Sequence, residues 1–247
     1  MAGVLPAVIA FAPAHWLAEG AAHATQGQVQ LLQVRGTVWT GSAQLVLTGG
    51  NASKDRAALP GRVDWRLRPA LGGLSLQLQA GCCTPEPLRA RVHAHWGGMA
   101  LSVADGQSQW PAALLAGLGT PWNTLQPQGQ LALQTRALTL RWTAGRMALA
   151  GQAQLDARAM SSRLSTLRPM GSYRLVLQGG KDAQEMPTLT LSTLDGALQL
   201  SGTGQWVGQR LRFAGEASAA PEREAALSNL LNIIGRRNGA RSIITVG

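Results

Sequence analysis

From Arg62 to Ala217 the chain alternates apolar and polar residues with a period of two, and this pattern limits what it can fold into. Val63, Trp65 and Leu67 alternate with Arg62, Asp64, Arg66 and Arg68. Leu74, Leu76 and Leu78 alternate with Ser75, Gln77 and Gln79. Leu88, Ala90, Val92, Ala94 and Trp96 alternate with Arg89, Arg91, His93 and His95. Successive side chains of a strand point to opposite faces, so each run is a strand with one apolar and one polar face. Many such runs predict a mostly β chain built on a large antiparallel, twisted sheet with one side buried. Breaks such as Gly72-Gly73, Gly97-Gly98, Asp105-Gly106 and Asp195-Gly196 are turn signals between the runs.

Two segments depart from the period of two. Trp110–Leu118 reads as a short helix or turn closed by Gly119. Pro221-Glu222-Arg223-Glu224 suits a helix start, with proline at the first helical position and acids in the first turn. Leu227, Leu230, Leu231 and Ile234 then form a one-sided stripe that is expected to pack on the sheet, with Gly235 as the cap. The basic stretch Arg236-Arg237-Asn238-Gly239 follows, and Ser242–Val246 predicts a final strand.

The N-terminus is of another kind. Met1–Ala18 carries no Asp, Glu, Lys or Arg, and Val4–Ala12 is strongly apolar, with Trp16 near its end. A membrane span needs about 20 mostly apolar residues, with about 17 the low end, and tryptophan suits the interface. Residues 1–24 are therefore expected to form a membrane anchor, and residues 25–247 a β-rich domain. A signal peptide cut after Ala22-His23-Ala24 is the second reading, and a buried apolar segment the third. Pro6, Pro13 and the lack of a basic leader weaken the segment as a span.

Charge narrows the function. Only 14% of the residues are charged, against about 25% in ordinary soluble domains, and the net charge is +10. Almost all the positive charge is arginine, spread along the strands without a basic cluster interleaved with aromatics. That dispersal argues against nucleic acid and suits anionic lipid or acidic partner surfaces.

The search for chemistry nominates no catalytic, cofactor-binding or metal-binding residue. His93 and His95 share a strand face, but no nearby cysteine or acid completes a metal site. Asp64, Asp156 and Asp195 stand singly. No nucleophile elbow or phosphate-binding loop is present, and Gly202, Gly204 and Gly208 miss the dinucleotide spacing. Cys82 and Cys83 are adjacent, which excludes a spaced zinc pattern. They form either a vicinal disulfide or two small buried side chains. The distorted ring of the former favours the latter, with opposite directions along a strand.

Four segments carry a resemblance. They are Val34–Ala43 (R-G-T-V-W-x-G-x-A), Leu59–Leu67 (L-P-G-R-x-x-W-x-L), Gly171–Leu175 (G-S-Y-R-L) and Leu227–Arg237. In this order and spacing the chain resembles the type II secretion system protein N family. The resemblance implies a non-enzymatic, single-pass inner-membrane protein with most of its chain in the periplasm. It would be an accessory part of the machine that exports folded proteins across the outer membrane, with other secretion proteins as partners. The sheet itself adds an expectation, since its apolar face must be hidden. It could close as a sandwich or curl into a groove like that of AsmA-like lipid-handling proteins, with acyl chains as occupants.

Overall fold

The structure is a computed structural model that describes residues 11–143, 146–180, 185–207 and 210–247. Its strands form one 16-stranded sheet. The first half comprises Val29–Gly36 (β1), Thr40–Thr48 (β2), Arg56–Ala58 (β3), Val63–Ala70 (β4), Gly73–Ala80 (β5), Leu88–His95 (β6), Gly98–Val103 (β7) and Gly106–Pro111 (β8). The second half comprises Gln128–Thr143 (β9), Arg146–Ser161 (β10), Gly171–Gln178 (β11), Thr188–Gly196 (β12), Leu198–Val207 (β13), Arg210–Ala219 (β14), Arg236–Asn238 (β15) and Arg241–Val246 (β16). The order is β1-β2-β4-β5-β6-β7-β9-β10-β11-β12-β13-β14-β16-β15, with β3 beside β2 and β8 beside β9. The sheet is therefore an open antiparallel meander with β1 and β15 at its ends, as the alternation requires.

Two strands are twice as long as most and serve as the spine. β9 and β10 have 16 residues each. The C-terminal half of β9 pairs with β7, and its N-terminal half pairs with β8. A strand this long has to bend, and bulges supply the bends. The register shifts between Ala150 and Gln152, opposite Ala137, whose φ is 47°. Gly151 (φ 82°) is required there, because a side chain would strike the Ala137 carbonyl. The amide of Ala137, displaced from the ladder, donates to Asp105 Oδ1 at 2.6 Å. A second bulge follows at Ala159, whose amide donates to Ser172 Oγ at 3.1 Å.

The apolar face is covered in three places by short elements. Near the N-terminus the helix Ala14–Ala24 (α1) sets Ala14 and Leu17 against Ala43 and Trp65. In mid-chain the 3-10 helix Ala112–Leu118 inserts Leu114 among Leu59, Val63, Ala80 and Cys83. It sits so close to β2 and β3 that a side chain at Gly117 would strike the Leu47 carbonyl. A single helical turn, Trp122–Leu125 (α2), follows. Over the C-terminal half, Glu224–Ile234 (α3) buries Leu227, Leu230 and Leu231 against Leu131, Tyr173, Leu198 and Ala217. The expected stripe thus packs on the chain's own sheet.

Several expectations need correction. The C-terminal helix begins at Glu224 rather than Pro221, because Glu222 has a φ of 65° and cannot be helical. Gly235 is extended, not left-handed. It is glycine because the Ile243 backbone passes where a side chain would stand. Cys82 and Cys83 lie in the turn after β5, not in a strand, and are joined to each other as a disulfide. The argument from opposite strand faces does not apply to a turn. Cys83 is buried and Cys82 exposed.

The expected membrane anchor falls partly outside the described residues, since residues 1–10 are not among them. What is described of it is residues 11–24, and its helix, α1, has 11 residues and includes Glu19. Among the described residues no helix is long and apolar enough to cross a membrane.

Candidate functional site

The four sequence segments that carried the family resemblance turn out to be joints of the fold. The first two meet. Arg62 donates from Nε to Ser42 Oγ (3.1 Å) and from Nη2 to the carbonyls of Gln33 (2.8 Å) and Ser42 (2.9 Å). Trp65 is buried, donates from Nε1 to the Val38 carbonyl (3.0 Å), and lies where a side chain at Gly41 would be. The bulged, twisted start of the sheet is pinned by this pair.

The third segment does the same for the second half. Arg174 forks onto Asp156, with Nε to Oδ1 at 2.8 Å and Nη2 to Oδ2 at 2.9 Å. Gln154 donates to Asp156 Oδ1 at 3.1 Å, and Arg158 lies 3.5 Å from Oδ2. The hydrogen bonds from Arg174 hold the Asp156 carboxyl below the usual aspartate range, against the opposing effect of burial. Asp156 had looked solitary because its partner is 18 residues away in sequence, across the β10–β11 pair. These groups line a polar pocket of about 270 Å³ with Gln107, Gln109 and Gln134. Its carboxylate takes a two-point, charge-assisted bond from Arg174, which ties β10 to β11.

The remaining residues noted in the sequence are dispersed. His93 and His95 are exposed on the polar face of β6. Among the described residues no group of three or more His, Cys, Asp or Glu could hold a metal ion. Asp195 sits at the end of β12, where its charge, after burial, contributes to raising the Tyr173 phenol pKa.

One apolar feature is not singled out by the sequence. A cavity of about 370 Å³ lies on the apolar face between the sheet, α2 and α3. Leu155 and Met160 of β10, Leu175 of β11, Leu191 of β12, Leu200 of β13 and Ile234 of α3 border it. Tyr173 borders it too, and its buried hydroxyl has no hydrogen-bond partner among the described residues. Ser162, also at the border, donates its hydroxyl to the Leu125 carbonyl at 2.6 Å. Such a space is of ligand-binding size and takes an apolar group, with no charge within it to drive a reaction. The alternation marked each bordering leucine as inward-facing. Only the placement of α3 over strands far apart in sequence left space between them.

A family model described as "Type II secretion system (T2SS), protein N" matches residues 27–244. Neither the curated proteins nor the solved structures compared with the chain give a match.

Proposed function

The chain belongs to the type II secretion system protein N family, and from that premise we propose that it is an accessory, non-enzymatic component of the secretion machine, tethered to the inner membrane with its β-rich region, residues 25–247, in the periplasm. In this position it supports export of folded proteins by contacts with other secretion components. The observation that carries the reading is the extent of the family match, 27–244 of 247 residues. The family segments act as joints of the sheet, which suits a protein whose surface and shape are its function. Detergent-solubilised membranes carrying the tagged full chain test it. Other inner-membrane secretion proteins should co-purify, and deletion of the chain should reduce export of the machine's substrates. Undiminished export together with no co-purifying secretion protein would overturn the proposal.

The apolar cavity favours a second reading, in which the chain holds an acyl chain and takes part in envelope lipid handling. Native mass spectrometry of the full chain should then show a bound lipid, and Leu175→Trp, which fills the cavity, should abolish the adduct. A ligand-free spectrum of the unaltered chain, or an adduct that survives Leu175→Trp, would sink this reading.

A further inference from the structure

In an antiparallel meander every second connection falls at the same end of the sheet. One end here carries the turns Thr37–Trp39, Leu71–Gly72 and Trp96–Gly97, and the C-terminal ends of β9, β11 and β13 point toward it. The exposed large apolar side chains concentrate at this end. Leu71 and Trp96, at two hairpin tips, are fully exposed at 105% and 104%. Behind them Met99 pairs with Trp142, which pairs with Met147, and both methionines are exposed on the apolar face, outside the three clusters that the helices cover among the described residues. Val207 is exposed where β13 reaches the same end. An apolar rim of this kind on a sheet end is an interaction surface, and a tryptophan at its tip suits a water–lipid boundary.

Charge follows the same geometry. Residues 65–85, 87–104 and 106–155 contain no Asp or Glu. On the polar face just behind the tips stand the exposed Arg68, Arg91, His93 and Arg141, in two neighbouring cross-strand rows, Arg68 with Arg91 and His93 with Arg141. Asp55, Glu86 and Asp195 lie in turns or strand ends at the opposite end, whereas Glu185, between β11 and β12, is an acid on the side of the tips. The chain also enters the sheet at the apolar end. Pro13 bridges to Thr37, the Val38 amide donates to the Ala12 carbonyl at 2.8 Å, and Phe11 is exposed. Phe11, the first described residue, therefore stands at this end and not the other.

We infer that this hairpin-tip end is a membrane-contact surface, with Leu71 and Trp96 entering the interface of an anionic bilayer and Arg68, Arg91 and Arg141 meeting its headgroups. Apolar tips with a basic collar match a surface of negative headgroups over hydrocarbon, and a net charge of +10 adds long-range attraction. The inference rests on the proposed membrane location, but it concerns residues more than 40 positions from the tether.

Hydrogen exchange of the full chain tests both and separates them. Exchange is measured alone, with vesicles of equal parts phosphatidylcholine and phosphatidylglycerol, and with phosphatidylcholine vesicles. The anionic vesicles should slow exchange in the Leu71–Gly72 and Trp96–Gly97 turns and leave the Gly81–Cys83 turn unchanged. Arg68→Gln and Arg141→Gln should each weaken binding to the anionic vesicles about fivefold at low salt. Equal exchange at the tips with and without vesicles overturns the inference, as does slowing that depends on protein concentration and not on lipid. Peptides spanning residues 1–10 report the tether independently. Protection there without protection at the tips sinks the contact surface and leaves the tether. The converse sinks the tether and leaves the surface.

Discussion

Leu231→Ala is expected to lower the stability of the chain by about 2–5 kcal/mol in urea denaturation of the purified protein. Leu231 is completely buried on the inner side of α3, in the cluster that joins the helix to β9, β11, β13 and β14. Truncation forfeits the transfer of its side chain from water and leaves a void the neighbours cannot fill. The end of α3 is also held in place by the fully buried Ser242, whose hydroxyl donates to the Leu231 carbonyl at 2.7 Å. That bond limits how far the helix can settle inward, so the cost should lie away from the low end. Ile233→Ala, on the exposed side of the same helix, should change stability by no more than about 0.5 kcal/mol. Equal effects at the two positions would mean that α3 is not docked on the sheet.

Trp65→Ala should cost about 3–5 kcal/mol, the range for removing a buried aromatic ring. Trp65 is 4% exposed and touches the start of the sheet on two sides, through Gly41 on β2 and through the Val38 carbonyl in the β1–β2 turn. The substitution removes the ring and leaves that carbonyl without its donor, a second penalty of about 1–3 kcal/mol if water cannot reach it. Trp96→Ala removes the same side chain from a position with no burial to lose. It should leave stability within about 0.5 kcal/mol of the parent while weakening contact with anionic vesicles. Parallel melts of the two variants read the contrast directly. A loss at Trp96 as large as that at Trp65 would mean its indole is packed in solution.

Residues within one strand were well described by the sequence, and residues between strands were not. Val63-Asp64-Trp65-Arg66 already states which side chain goes inward, because a period of two leaves no other regular choice. The stripe of α3 likewise states its buried side. The start of that helix was misplaced because proline and acids suit a first helical turn, whereas the backbone at Glu222 turns left-handed to leave β14. The distorted ring of a vicinal disulfide argues for two unpaired cysteines, but the chain turns at Cys82-Cys83 and the two are joined. Asp156 and Arg174 could not be matched in advance, since their meeting depends on the register of β10 with β11.

By itself, then, the sequence determined the kind of sheet, its inward and outward residues and the family, since all three are carried by local periodicity and by short segments whose side chains make joints. Only the tertiary structure decided that the sheet stays open, that α3 roofs a cavity, and that Leu71, Trp96, Met99 and Met147 gather at one end while Asp55, Glu86 and Asp195 gather near the other. The physical reason is common to these. Each depends on which strands become neighbours and on which end each turn falls, and those are properties of long-range backbone pairing that no local pattern encodes.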